Sequence, residues 1–339
     1  MKMRTSRYIS ILLAFCIAVI SCERKDRPVA QKEGRPIVFT AESEWPGITK
    51  TAVYDVETIR EAGFRVWGSW HQDPEDQADY VFDADVFGEG GSVVSLDDNG
   101  ESLVPEEEAM WHRGYYCFAA VFPKSFSGAT TSSFSKTASG NDYTNELTVD
   151  FGNAGFNLAE EQTDLMYAFA DVDNSANQAS TVQMDFCHTF ALLDIRLTHK
   201  GEDGSEEVGV KSVSLYGIHS EIKGNLQLVH NSGSTGVTAD FASLLSEAES
   251  TTEDNPYYDR EFTDESILVS PGETVTIVDD LLVFPETLSE DTALTIKLVL
   301  MYGELTKEFT VTLEDGQWTS GSTNAYEISV DSSMFDTTE

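Results

Sequence analysis

Cys22 is the one side chain whose neighbourhood in the sequence implies a covalent event. A basic head (Lys2, Arg4, Arg7) leads into an apolar run from Ile9 to Ile20, which stops at the small residue Ser21. That run is too short to cross a bilayer as a helix, so residues 1–21 read as a signal peptide for export. Val19-Ile20-Ser21-Cys22 resembles a lipobox, in which the cysteine thiol takes up diacylglycerol and becomes the mature N-terminus. Acyl chains contribute about 0.8 kcal/mol per buried methylene, so several of them hold a soluble body on a membrane. Lipidation at Cys22 and a charged tether over residues 22–35 are therefore expected.

The rest of the chain offers little that could do chemistry. It has no G-x-S-x-G, no H-E-x-x-H, no glycine-rich phosphate loop and no C-x-x-C. The six histidines, at 71, 112, 188, 199, 219 and 230, lack metal-ligand spacing. Asp171-Val172-Asp173 begins like a calcium loop, but Ala176 stands where the loop needs glycine. No catalytic residue, metal or cofactor is expected, and with 59 acidic residues a glycosidase pair is not legible. His188, on the apolar face of its run, is expected to be buried with a backbone partner. Cys16 leaves with the signal; for Cys117 and Cys187, buried free thiols are the default and a single bridge the alternative. Trp67, Trp70 and Trp111 leave two readings open: a stacking platform for a sugar ring, or core and rim aromatics.

Charge narrows the partners. Only 3 acidic residues but 8 of the 21 lysines and arginines fall within residues 1–35, leaving 13 basic against 56 acidic residues from Pro36 onward, a net −43. Such a body repels phosphate backbones, which excludes nucleic-acid binding, and the acid excess is what keeps an exposed surface protein soluble.

The elements that follow are strands. Ile37-Val38-Phe39 opens the first one, and Asp55 to Ala62 is the only early segment of helix-forming composition, closed by Gly63. Phe64 to Trp70, Ala78 to Phe87, Ser92 to Leu96 and the long aromatic run Met110 to Pro123 come next, with Asp98-Asn99-Gly100 as a tight turn. Residues 125–146 are rich in Ser, Thr and Gly and are expected to be an exposed loop. From Val182 to Leu197 the apolar residues change phase by one residue, the mark of a bulge, a kink or a crossing between sheets. Val210 to Ile218 is expected to pair with Gly224 to Val229. Later runs alternate cleanly, as in Leu294, Ile296, Leu298 and Leu300. Short strands at roughly ten-residue spacing argue for all-β sandwiches, divided just before Val182 into domains 36–180 and 181–339.

The lipobox, the Ile37–Phe39 strand, Phe64 to Trp70, the pattern from Trp111 to Pro123, the phase-shifting run, Leu281 to Pro285 and the closing Trp318…Ala325–Val330 occur in an order similar to the fimbrillin family, the Mfa-like or FimA-like type V pilus proteins of Bacteroidales. The resemblance covers nearly the whole chain. It implies two transthyretin-like β-sandwich domains in tandem and an outer-membrane lipoprotein that assembles with other pilin subunits and supports cell adhesion. It also implies that an arginine-specific protease removes the lipid and the first strand, so that the groove accepts a strand from the next subunit. Arg27 and Arg35 precede proline and are poor sites; Arg24 would leave the first strand in place, whereas Arg60 or Arg65 would remove it. The alternatives are an uncut, lipid-held anchor and a surface lipoprotein that binds a glycan or host ligand.

Overall fold

The computed structural model describes residues 35–43, 54–71, 84–126, 131–139, 142–202, 204–231, 236–246, 248–262 and 267–335. The signal peptide, Cys22, Arg24, Arg27 and the tether as far as residue 34 lie outside them.

In chain order, β1 (Val38–Ser43) is followed by α1 (Val56–Ala62), β2 (Phe64–His71), β3 (Ala84–Asp85), β4 (Ser92–Leu96), β5 (Leu103–Pro105) and β6 (Tyr115–Phe122). Then come β7 (Thr131–Ser139), β8 (Asp142–Asp150), β9 (Phe156–Asn157), α2 (Leu158–Glu161), β10 (Met166–Asp173), β11 (Thr181–His188) and β12 (Ala191–His199). The remainder runs β13 (Val208–Tyr216), β14 (Glu221–Ile222), β15 (Asn225–Asn231), β16 (Val237–Ala239), α3 (Ala242–Leu245), β17 (Tyr258–Glu261), β18 (Ile267–Val269), β19 (Thr274–Val283), β20 (Thr287–Leu288), β21 (Leu294–Tyr302), β22 (Leu305–Leu313), β23 (Gly316–Gln317) and β24 (Thr323–Val330). The chain is nearly all β, as its short alternating runs require.

The largest sheet has the order β3-β2-β4-β5-β1-β11-β10-β6, and β6 also pairs with β2, so the sheet closes on itself. A four-stranded sheet, β16-β15-β8-β7, lies apart from it, and β12 and β13 are the centres of two more sheets, β19-β12-β24 and β17-β13-β21-β22. Three apolar cores fill the spaces. One gathers Phe39, Phe64, Phe118 and Phe186; a second gathers Val121, Leu147, Phe190 and Leu226; the third gathers Leu193, Ile195, Val213 and Leu298. β6 is buried on both faces because its alternate residues serve two of them: Phe118 and Ala120 face the first, Ala119 and Val121 the second.

The phase-shifting run lines all three. Val182, Met184 and Phe186 enter the first core, Phe190 and Leu192 the second, Leu193, Ile195 and Leu197 the third. The shift is thus a crossing between sheets, made at Thr189 and Phe190, where β11 ends and β12 begins. The division expected before Val182 falls between β10 and β11, which pair with each other; β8 and β15 pair across it through seven residues, from Asn225↔Asp150 to Asn231↔Thr144.

Two expectations need correction. Much of 125–146 is a hairpin, β7–β8, in register from Thr131↔Asp150 to Ser139↔Asp142. Serine and threonine sit comfortably on a strand with one wet face, and the burial of β8 alternates, with Asn145, Leu147 and Val149 turned inward. Second, the Gly224–Val229 run joins β8 and β16, not β13, because Leu226 and Leu228 belong to the second core. β13 pairs instead with β17, β18 and β21.

At the rim of the second core His230 Nε2 lies 3.2 Å from Asp171 Oδ2. The hydrogen bond to Asp171 raises the His230 pKa against the opposing effect of burial. Burial pushes Asp171 up, but hydrogen bonds from His230, Cys117 and Tyr143 outweigh it and hold the carboxyl below its ordinary value. A histidine whose folded pKa exceeds its unfolded value of about 6.5 adds stability that is complete below that pH and is lost as pH rises through the folded pKa. Urea unfolding should therefore show a loss of stability from below pH 6.5 into the mildly alkaline range, flattened in His230→Gln. An unchanged slope in that variant would remove this pair as its source.

Candidate functional site

β1 is inserted between elements distant in sequence. One edge runs parallel to β11, from Val38↔Thr181 to Ser43↔Phe186. The other meets β5 at Phe39↔Leu103, and the residues just before the strand extend that edge. There the Ile37 amide donates to Ala109 O at 2.9 Å, the Trp111 amide donates to Arg35 O at 2.9 Å, and Pro36 bridges to Met110. Alternation turns Ile37, Phe39 and Ala41 inward, at 1%, 2% and 6% exposure. The Phe39 ring stands edge-on to Phe118 at 5.6 Å and Phe64 at 6.0 Å, beside Phe87 at 6.5 Å. Fully burying each large apolar side chain is worth about 1.5–3 kcal/mol, so the strand is a substantial part of the first core.

The three candidate processing arginines are not equivalent. Arg35 is exposed, and its Nη2 donates to Asn177 O at 2.9 Å. Its carbonyl is docked on Trp111, and a cut there would leave β1 whole. Arg60 is exposed in the last turn of α1. That helix is capped by the Asp55 carboxylate, which accepts from the Thr58 amide at 2.8 Å, and is pinned to the first core by Ile59. Gly63 ends it at φ 73°, and a Cβ there would meet Val94 O at 2.3 Å. Arg65 lies inside β2, which is paired on both sides, to β4 and β6. Its Nη1 donates to Gly90 O at 2.9 Å and its Nε to Lys124 O at 3.3 Å. A protease must extend the chain it cuts, so the Arg65 bond is closed to it in the folded sheet. Arg60 is the exposed one of the two, and the short helix α1 must unwind before its bond is cut.

The tryptophans do not form a platform. Trp67 and Trp70 are three apart on β2 and turn to opposite faces. Trp67 is buried in the second core with its Nε1 donating to Glu89 O at 3.2 Å. Trp111 is buried in the first core, edge-on to Tyr116 at 4.8 Å. Trp70 alone is half-buried, its Nε1 donating to Arg113 O at 3.1 Å. The stacking expectation is corrected for Trp67 and Trp111, which have almost no surface to offer.

Cys117 and Cys187 are both free thiols. β10 separates their strands, and two strand spacings of about 5 Å each exceed the reach of a disulfide. His188 is buried as expected, but its Nδ1 partner is the Asp164 carboxylate, not a backbone group. Asp164 is 24 residues away and sits just before β10, a pairing that strand alternation cannot reveal. Asp194, Asp279 and Asp280 bring carboxylate oxygens within 4.8 Å of one another, with Arg196 Nη2 3.3 Å from Asp194 and the Asp280 amide donating to it at 3.0 Å. These acids meet where β12 and β19 shift register, which again no local spacing announces.

A family model described as fimbrillin-like matches residues 83–338. A fimbrial protein from Bacteroides ovatus is 11% identical, with 89% of this chain and 51% of that one covered and a TM-score of 0.35. A candidate cell adhesion protein from Parabacteroides distasonis is 11% identical, with 89% and 90% covered and a TM-score of 0.43. Another from Bacteroides uniformis is 15% identical, with 88% and 94% covered and a TM-score of 0.39. None of the curated proteins matches the chain.

Proposed function

The chain belongs to the fimbrillin-like family, and from that premise we propose that it is a structural or accessory subunit of a type V surface pilus. In this reading it is exported as an outer-membrane lipoprotein held through Cys22, joins other pilin subunits by strand exchange and supports cell adhesion. No catalytic step is assigned to it. The observation that carries the reading is the setting of β1: a first strand, parallel to β11, whose Ile37, Phe39 and Ala41 fill the first core.

Its removal would leave β11 and β5 with unpaired amides and carbonyls along a slot lined by phenylalanines. An extended segment of another subunit, with apolar residues at alternate positions, satisfies both deficits at once. The same geometry separates two roles. Cut beyond β1, the subunit accepts a donor strand; uncut, it keeps its own strand and its lipid and serves as an anchor.

Limited digestion of the folded protein with an arginine-specific protease, followed by electrophoresis without boiling, tests both steps. The Arg60 bond should open before the Arg65 bond, and the trimmed protein should form SDS-resistant ladders that the untrimmed protein does not. Failure of any trimmed form to assemble, alone or with pilins from the same cells, would count against the reading. The N-terminal residue of the protein taken from cells decides between the cut subunit and the anchor.

A further inference from the structure

Where the β7–β8 hairpin covers the end of the second core, an amine and an amide are buried beside a carboxylate at the rim. Lys136 and Asn145 are direct cross-strand partners in the hairpin. Such partners have Cβ atoms about 4.5–5.5 Å apart, well within the length of a lysine side chain. Both turn inward: Asn145 is fully buried, and the Lys136 Nζ and both amide atoms of Asn145 have no accessible surface. β6 and β10 pack against them from the facing sheet. Cys117 lies opposite Asp171 there, its thiol close to both the Asp171 carboxylate and the Asn145 amide. Lys136 is held in the field of Asp171, Cys117 and Asp85. An amine and a carboxamide therefore share one dry site, with the partly exposed Asp171 carboxylate at its rim.

We propose that Lys136 and Asn145 become joined by a side-chain amide bond, formed without an enzyme or cofactor. Lys136 Nζ adds to Asn145 Cγ, making the Nζ–Cγ bond. The Asp171 carboxylate takes the proton from Nζ and delivers it to Nδ2, the Cγ–Nδ2 bond breaks, and ammonia leaves. No oxidant or co-reactant is required. Three features of the site favour the step. Burial lowers the Lys136 pKa to about 8, so a neutral amine is available near physiological pH. Holding amine and amide on adjacent strand positions makes the encounter intramolecular, which is worth many orders of magnitude in effective concentration. Burial of the Lys136 Nζ and the Asn145 amide keeps water from competing with the amine there. The neighbouring thiol is no rival, because burial pushes the Cys117 pKa up and keeps it protonated.

The bond would secure a weak place. β7 is the outer strand of its sheet, and apart from Phe134 and Lys136 its sequence TSSFSKTAS is small or polar, so apolar burial holds it poorly. A covalent tie to β8 would keep this edge from peeling under load or joining a foreign strand.

Trypsin reads the result directly, because it does not cut after an acylated lysine. In denatured protein purified from an expressing strain, the segment Ser125–Arg196 should remain one piece, lighter by one ammonia and joined through Lys136 and Asn145 in its fragment spectrum. Asn145→Ala and Asp171→Asn, checked for folding by circular dichroism, should release Ser125–Lys136 and Thr137–Arg196. Asn145→Asp should restore the link with loss of water. Free Ser125–Lys136 and Thr137–Arg196 at their sequence masses in the wild type would overturn the proposal. So would ammonia loss confined to Thr137–Arg196, the signature of a succinimide at Asn145. A link that persists in Asp171→Asn would remove Asp171 from the step.

Discussion

A chain beginning after Ser43 is expected to lose its stable monomer and to regain it when a synthetic Pro36–Ser43 peptide is added. The truncation takes away Ile37, Phe39 and Ala41 from the first core and one whole edge of pairing from β11. Phe39→Ala alone should cost about 3–5 kcal/mol, the range for emptying a buried phenylalanine site. Domains have only about 5–15 kcal/mol in hand, so loss of the full strand should leave the shortened chain aggregated or polymerised. The peptide returns both the hydrogen bonds and the three inward side chains, and a peptide carrying Asp in place of Phe39 should not. Light scattering and thermal melting with and without peptide make the comparison. A shortened chain that stays monomeric with an unchanged melting temperature would show that β1 is dispensable, and strand exchange at this slot would fall with it.

The second large effect is expected at the Asp164–His188 pair. Both side chains are buried, at 0% and 2% exposure, and they meet where the chain leaves the closed sheet for β12. Burial raises the Asp164 pKa, while the contact with His188 works against that rise. Removing one partner breaks a buried polar contact. Asp164→Ala or His188→Ala should therefore cost about 3–5 kcal/mol in denaturant unfolding, as broken buried pairs do. Replacing both with apolar residues of similar size should cost much less than the sum, because no polar group is then left without a partner. Single losses under about 1 kcal/mol, or simple additivity, would show that the two groups do not depend on each other.

The closed sheet also explains why these effects should differ from those at the arginines. Arg60 is exposed, and substituting it should change processing with little change in stability. Arg65 binds two backbone carbonyls that tie β2 to flanking loops, so its loss mixes the two.

Much of this protein is written locally. The alternation of Leu294 to Leu300, the double-faced burial of Tyr115–Phe122, the turn at Gly100 and the helix Val56–Ala62 follow from side-chain period and turn chemistry, which act over a few residues. The phase change after Phe190 likewise marked a bulge, a kink or a crossing, and the order of motifs pointed to the family. What period cannot specify is the partner. That Gly224–Val229 lies on β8, that β1 runs beside β11, that Trp67 and Trp111 fill different cores and that β7 forms at all depend on which apolar faces meet. The same is true of the polar groups: Asp164 with His188, and Lys136 with Asn145 under Cys117 and Asp171, come from separate strands. Local sequence determines which residues turn inward; only the packing of sheets against one another decides what they find there.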